Sequence, residues 1–174
     1  MASTKPDRRK AADIVRDAGG VIVGRTRLQK VAYLIELAGL GDSFRFEYRH
    51  YGPYSEDLAD GMRTACAFGL VHEEERPTEW GGFYSIYTVQ EGNEKQVGDK
   101  TRDTFAKAAA KISAIELELL ATAAYLHHEE GCSDPWEETA RLKPEKSEGR
   151  LDKAKAAYRE LLKLNTPNRL PEIV

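Results

Sequence analysis

Residues 27–36 of the chain read Arg-Leu-Gln-Lys-Val-Ala-Tyr-Leu-Ile-Glu, and residues 51–58 read Tyr-Gly-Pro-Tyr-Ser-Glu-Asp-Leu. These two stretches decide the fold class, because each predicts a helix and the second also predicts the turn that leads into it. In the first stretch, apolar residues recur with a 3-4 spacing that forms one stripe on an α-helix. The stripe consists of Leu28, Val31, Ala32, Ile35 and Ala38.

Signals for helix ends flank both stretches. Thr26 and Gln29 have the spacing of a capping box, and a glycine follows Ala38, so we predict the first helix over residues 27–38. Ser55 is a favourable N-cap for the second helix, which we expect to end at Gly69. The inward stripe of this second helix is Leu58, Met62, Ala65 and Cys66.

The segments around these helices predict short strands. Residues 44–50 alternate aromatic and polar side chains, which indicates a half-buried strand with its aromatic residues on one face. After the second helix, Leu70 and Val71, a polar tip and residues 83–89 predict a two-stranded wing. A helix over residues 7–18 and a very short strand at residues 21–23 come first. This order is typical of a winged-helix domain with an insertion between its second and third helices.

These motifs also resemble known families. The chain resembles an uncharacterised family of small bacterial proteins of the YwgA type, over most of its length. The same order also looks like the Panacea domain of SocA-like antitoxins and proteolytic adaptors, up to about residue 90. The Panacea resemblance implies a non-catalytic, antitoxin-like regulator or adaptor that acts by protein binding. The residues that carry them are Leu28-Gln29-Lys30 with Tyr33-Leu34, Tyr51-Gly52-Pro53-Tyr54-Ser55 with Leu58, and Gly69-Leu70-Val71.

The second half of the chain has a different composition. From residue 93 onward Ala, Leu, Lys and Glu dominate, which predicts helices. Gly131 is expected to close a helix that reaches about residue 128, Asp134 is expected to cap a short helix to about residue 142, and the last helix is expected to start near residue 147. The predicted fold class is therefore α+β, mostly α, with a winged-helix-like N-terminal part that contains a short sheet and an all-helical C-terminal extension. We expect the first domain to span residues 1–92 and the helical extension packed on it to span residues 93–165. Residues 166–174 are predicted to be a loose tail.

Charge argues against nucleic acid as the main partner. Residues 1–71 hold 11 Lys and Arg against 9 Asp and Glu, a net charge of +2, and residues 72–174 have a net charge of −5. A winged-helix DNA-binding protein usually presents cations to the phosphates and readers on its third helix. Here that helix opens with Glu56, Asp57 and Asp60, and the wing is acidic as well. Both surfaces that would contact DNA are therefore negatively charged and would repel its phosphates.

A second hypothesis remains open, because basic residues cluster elsewhere. Arg25, Arg27 and Lys30 surround the start of the first signature helix, and Arg63 lies on the third helix. They are candidate phosphate contacts of a winged-helix transcriptional regulator that dimerises through its C-terminal helices, with weak or sequence-nonspecific DNA binding. They could equally form a solvated helix face.

The Tyr-Gly-Pro-Tyr turn has two interpretations. Gly52 and Pro53 set the turn, and the tyrosine rings could simply be buried beside it. Alternatively, Arg49, Tyr51 and Tyr54 rim a groove that binds a partner protein, because Tyr and Arg often anchor interfaces. We take these three residues as the candidate partner-binding site of an antitoxin-like regulator or adaptor.

Enzymatic chemistry is the most distant hypothesis. The adjacent His127 and His128 lack the i, i+4 spacing of a zinc-binding helix, and no Gly-rich loop precedes a Lys-Ser or Lys-Thr pair. Cys132 with His127 or His50 could form a Cys/His catalytic pair, but no sequence signature surrounds the cysteine. We therefore predict no catalytic residues, no metal and no cofactor. The chain has neither a signal-peptide core nor an apolar run long enough to span a membrane, so we expect a cytoplasmic protein.

Overall fold

A computed structural model describes residues 7–90 and 99–173 of the chain. In the first described range, helices α1 to α3 alternate with short strands. The elements are α1 (Arg8–Asp17), β1 (Val21–Val23), α2 (Arg25–Leu37), β2 (Glu47–Arg49), β3 (Gly52–Tyr54), α3 (Glu56–Ala67), β4 (Val71–Pro77) and β5 (Phe83–Val89). The second described range is helical. Its elements are α4 (Lys100–Ala110), α5 (Ala114–Glu130), α6 (Pro135–Leu142), α7 (Pro144–Ser147) and α8 (Leu151–Leu162).

Two small antiparallel sheets form in the first range. One has the strand order β1-β5-β4, and the other is the hairpin of β2 and β3. In the larger sheet Ile22 lies opposite Tyr87, and both side chains are buried against the helices. Val21 and Val23, on either side of Ile22, point to the opposite face and are exposed, because successive side chains in a strand alternate between faces.

One buried core connects the two halves of the chain. Helix α5 packs against α2, β3, α6 and α8, and α4 packs against α1 and α2. Helix α5 is apolar on nearly all sides, as expected for a helix surrounded by others, and its residues from Leu117 to Leu126 are all buried. The predicted fold class is thus confirmed: a mainly helical α+β chain with small antiparallel sheets and a helical C-terminal part. None of the described helices has the length and apolar character that crossing a membrane requires.

Several helix ends lie where local sequence signals predicted them. The Ser55 hydroxyl accepts a hydrogen bond from the backbone N–H of Leu58, and the Asp134 carboxylate accepts one from that of Glu137. Gly131 ends α5 in the left-handed conformation. The final helix begins later than predicted, at Leu151 instead of near residue 147. Such local signals are dependable where the capping side chain has no competing tertiary partner.

The aromatic segment before the hairpin is less regular than predicted. Only Glu47–Arg49 forms a strand within residues 44–50. Upstream, the backbone N–H groups of Ser43 and Phe44 donate to the Glu36 carboxylate, at 2.8 and 3.1 Å. These hydrogen bonds take the place of those that a neighbouring strand would accept. The aromatic side chains nevertheless share one face as predicted, because Phe44, Phe46 and Tyr48 all pack against the core.

The C-terminal tail differs from the prediction of a loose segment. Leu170 and Ile173 are buried, and the Tyr158 hydroxyl donates a hydrogen bond to the Pro171 carbonyl. The backbone N–H of Asn168 also donates to the carbonyl of Ala38, at the end of α2. The apolar residues of the tail therefore complete the core over residues 166–173. The predicted domain boundary at residues 92 and 93 lies outside the described residues.

Candidate functional site

The Tyr-Gly-Pro-Tyr turn (residues 51–54) lies at the end of the β2–β3 hairpin. Residues 50 and 51 connect the two strands, whereas Gly52 and Pro53, which were predicted to set the turn, belong to strand β3. Gly52 lies opposite Arg49 and has a φ angle of +96°, a conformation that L side chains rarely adopt. A Cβ atom at this position would lie 2.4 Å from the Thr122 Oγ1 atom of α5. Glycine is therefore required here for two reasons, the backbone conformation and the close approach of the buried helix.

The two signature stretches bind each other. The Gln29 side chain donates to the Ser55 carbonyl at 2.9 Å and accepts from the Ser55 N–H at 2.8 Å. The adjacent Lys30 donates from Nζ to the Pro53 carbonyl at 2.8 Å. All three contacts are buried, where a satisfied hydrogen bond to the backbone fixes geometry strongly. Helix α2 thus holds the turn and the start of α3 in place.

This arrangement corrects two sequence-based predictions. Gln29 does not complete a capping box with Thr26, because its amide is used by Ser55, and Gly24 is the residue that precedes α2. Lys30 was a candidate phosphate contact, but it is only 1% exposed and its ammonium faces the turn. Residue spacing alone cannot distinguish a local cap from a contact with a distant segment.

The burial of Lys30 changes its acid–base behaviour. Desolvation lowers the pKa of this lysine to about 7, and the nearby carboxylate of Glu118 acts in the opposite direction. Lys143 and Lys146 lower the Lys30 pKa further by repulsion between like charges. Near neutral pH, Lys30 can therefore release its proton while the protein remains folded.

We expect the free energy of unfolding to rise with pH above 7 because of Lys30. The unfolded chain keeps the proton up to a pKa of about 10.4, so between these pKa values it binds more protons than the folded chain. The contribution approaches about 1.4 kcal/mol per pH unit. Denaturant unfolding of the wild type and of Lys30→Met between pH 7 and 8.5 measures it. The variant should show a shallower slope, and equal slopes would contradict the assignment, because Cys66 and the other titrating groups are common to both proteins.

A buried charged cluster supports the turn from the C-terminal half. Glu118 of α5 accepts hydrogen bonds from Lys143 at 2.8 Å and from Lys146 at 2.9 Å. Lys143 also donates to the carbonyl of His50, next to the turn, and the Lys146 ammonium lies 4.7 Å from the centre of the Tyr51 ring. The C-terminal helices therefore form part of the site, and they position the predicted residue Tyr51.

Sequence reasoning missed this cluster, although one signal for it was present. Glu118 interrupts a run from Leu117 to Leu126 that is otherwise free of charge. A single acid within a helix that is apolar on all sides predicts a buried, paired charge. The partners Lys143 and Lys146 could not be found in this way, because lysines are abundant throughout the second half.

A groove of about 510 Å³ opens beside the turn. Its apolar lining comes from Leu28, Ala59 and Met62, and its aromatic lining from Tyr51, Tyr54 and Tyr87. Charged lining residues are Arg25, Lys30, Arg63 and Glu73. Predominantly apolar walls with a few polar groups are typical of binding sites for small molecules or for anchoring side chains of a peptide. The groove thus brings together both predicted tyrosines and three of the four candidate phosphate contacts.

The predicted partner-binding residues lie at the rim. Tyr51 is 56% exposed. The Arg49 guanidinium lies 4.6 Å from the centre of the half-buried Tyr54 ring, and it also pairs with the carboxylates of Glu47 and Glu56. Both tyrosines line the groove, and Arg49 is next to this surface through its contact with the Tyr54 ring.

The arginines among the candidate phosphate contacts have partners within the protein. Arg25 pairs with Glu73 at 3.2 Å and with Glu75 at 2.9 Å, and its hydrogen bond to Glu73 raises the arginine pKa. Arg63 pairs with Asp60 on the same helix.

Arg27 is half-buried, and its guanidinium donates to the Ile112 carbonyl at 3.3 Å. Arg25 and Arg63 are the two candidate arginines that remain exposed. The acidic strand β4 neutralises Arg25, and the acidic start of α3 neutralises Arg63. With Lys30 buried, the predicted basic residues do not form one free basic patch.

The histidines and cysteines are dispersed. His50, His127 and His128 are exposed, and both Cys66 and Cys132 are free thiols with intermediate exposure. Burial raises the pKa of the Cys66 thiol, which keeps it protonated. Across residues 7–90 and 99–173, no three His, Cys, Asp or Glu side chains are grouped so that they could hold a metal ion.

Comparison with known proteins gives one informative similarity. No protein-family model matches the chain. The chain is 32% identical over 73 residues to the uncharacterised protein YwgA of Bacillus subtilis, a match that includes 41% of this chain and 43% of the relative. The chain therefore matches less than half the length of that relative. This match supports the resemblance of the sequence to the YwgA-like family. What it shows for the chain is a partial similarity to an uncharacterised bacterial protein.

Proposed function

We propose that this chain is a non-catalytic regulatory or adaptor module, antitoxin-like in its mode of action, that binds another protein at the groove beside the Tyr-Gly-Pro-Tyr turn. The observation that carries the proposal is the exposed Tyr51 ring above a groove whose backbone is fixed by Gln29, Lys30 and Lys143. A rigid site with aromatic and arginine residues at its rim loses little conformational entropy when a partner binds.

The wing offers further surface to such a partner. Trp80 at its tip is 88% exposed, and the neighbouring Phe83 is 72% exposed. Large aromatic side chains are costly to leave in water and are enriched at protein interfaces. The base of the wing lines the groove through Glu73 and Tyr87, so one partner could contact both surfaces.

The test is recovery of a partner from the native host with a tagged protein, with and without nuclease. We expect a protein partner that resists nuclease, and we expect Tyr51→Ala with Tyr54→Ala to weaken its binding by about thirtyfold, since loss of an interface anchor costs about 2 kcal/mol or more. Phe68→Ala is the matched control, because Phe68 is equally exposed but lies at the far end of α3. Equal binding by the control and the tyrosine variant would contradict the proposed site.

DNA binding is the second candidate, favoured by a specific observation. The side chains of Arg25 and Arg63 are 66% and 65% exposed, and such exposed ion pairs are weak enough for phosphates to replace the carboxylates. The winged-helix interpretation of the element order is part of this candidate. If it applies, duplex binding should weaken steeply with salt, and Arg25→Ala with Arg63→Ala should reduce the slope by about two. Under our proposal, no salt-dependent duplex binding is measured.

A further inference from the structure

Strand β1 has an open edge. In the larger sheet it is an outer strand, and among residues 7–90 and 99–173 it pairs with β5 alone. The N–H of Gly24 donates to Ser85, and the carbonyl of Gly20 accepts from Val89. Hydrogen-bonded pairs alternate along an antiparallel ladder, so Ile22 exchanges its backbone bonds with β5, and the backbone groups of the residues on either side of it point away from the sheet.

These outward groups belong to Val21 and Val23. Within the described residues, one weak contact reaches them, from the Arg27 guanidinium to the Val23 carbonyl at 3.5 Å. Their side chains are also unusually accessible, at 49% and 41% exposed. Natural edge strands are normally protected by Lys, Pro or a bulge, because an open apolar edge is a template for pairing with another strand. Strand β1 is short, at three residues, but it carries no lysine, proline or bulge.

We propose that β1 pairs antiparallel with β1 of a second copy of this chain, about a two-fold axis at Ile22. The sequence Val21-Ile22-Val23 reads the same in both directions, so this register places Val21 opposite Val23 of the second copy at both ends. The three side chains of the strand are uncharged, so they add no charge repulsion where the two strands meet. The two sheets then become one six-stranded sheet.

This inference does not depend on the proposed function. The open edge of β1 carries the argument, whereas the protein-binding proposal rests on the groove beside the turn. Tyr51 lies beside the hairpin of β2 and β3, whereas β1 belongs to the other sheet. Failure of either proposal would leave the other standing.

Cysteine crosslinking tests the register directly. In a background with Cys66→Ser and Cys132→Ser, we expect a disulfide when Val21→Cys and Val23→Cys proteins are mixed, since Cα atoms of paired residues lie about 5.5 Å apart, within disulfide range. Each variant alone should not crosslink, because identical positions would lie roughly 8 Å apart. Crosslinking of either variant alone, or none in the mixture, would overturn the proposal.

Sedimentation of the purified protein over a wide concentration range gives the second measurement. We expect a reversible dimer whose dissociation constant rises about tenfold or more in Val21→Lys with Val23→Lys, because lysines block an edge and would face each other across the axis. Trp80→Lys with Phe83→Lys is the control: it adds the same two charges at exposed aromatic positions outside β1 and should leave the dimer unchanged. A monomeric wild type, or a dimer that the β1 lysines do not weaken, would refute the pairing.

Discussion

Replacing Glu118 by Gln should lower the free energy of unfolding by about 3–5 kcal/mol, the usual cost of removing one partner from a buried ion pair. The Glu118 side chain is 5% exposed and that of Lys143 is 6% exposed, so water can do little to solvate the charge that remains. Lys143 would then be a buried cation beside a second lysine, Lys30, with no carboxylate to balance it. Equilibrium unfolding by urea, followed by circular dichroism, measures the change.

Glu138→Gln provides the matched control for this prediction. Glu138 also pairs with a cation, Arg141, but the arginine side chain is 68% exposed. Its loss should change the free energy of unfolding by less than about 1 kcal/mol, as for other surface ion pairs. Replacing Glu118 by Leu and Lys143 by Met together should restore part of the stability, because the buried Lys143 charge is then removed. Lys146 also loses its carboxylate partner, but its side chain is 36% exposed and water can solvate its charge. A loss in Glu118→Gln as small as that in Glu138→Gln would show that the cluster is not buried in solution.

Gly52→Ala should lower the free energy of unfolding by about 3–4 kcal/mol, through backbone strain at positive φ and overpacking against α5. The strain comes from the φ angle of +96°, and the overpacking comes from the contact of 2.4 Å between the new Cβ and Thr122 Oγ1. Because the turn rims the groove, partner binding should be lost together with stability. Urea unfolding measures the first effect.

Two comparisons separate the sources of the Gly52 effect. Gly69 has a φ angle of +73°, but a Cβ atom added there would meet no atom within 4 Å, so Gly69→Ala reports strain alone, about 1–2 kcal/mol. Thr122→Ala removes the clashing oxygen, so the double variant with Gly52→Ala should be more stable than the sum of the two single effects predicts. Thr122→Val keeps an atom in the same place and should give no such rescue. Additive effects in both double variants would contradict the clash.

Local sequence signals predicted the elements whose ends depend on neighbouring residues. The Ser55 hydroxyl, the Asp134 carboxylate and Gly131 act within one helical turn, so their spacing in the sequence contains most of the information. The predicted stripe of α2 is buried, but most of the rest of this helix is buried as well, because α4 and α5 pack against it. The sequence also indicated the groove surface, since Arg49, Tyr51 and Tyr54 are only a few residues apart.

The amino-acid sequence by itself determined the mixed helical fold class and the helix ends at Ser55, Gly131 and Asp134. Only the tertiary structure decided what the polar residues of the signatures do: Gln29 binds Ser55 instead of capping α2, and Lys30 binds Pro53 instead of facing solvent. It also brought Glu118 under the turn and placed Leu170 in the core. The physical reason is that a polar side chain takes the partner that burial leaves available, and that partner lies 23 or more residues away in each of these hydrogen bonds.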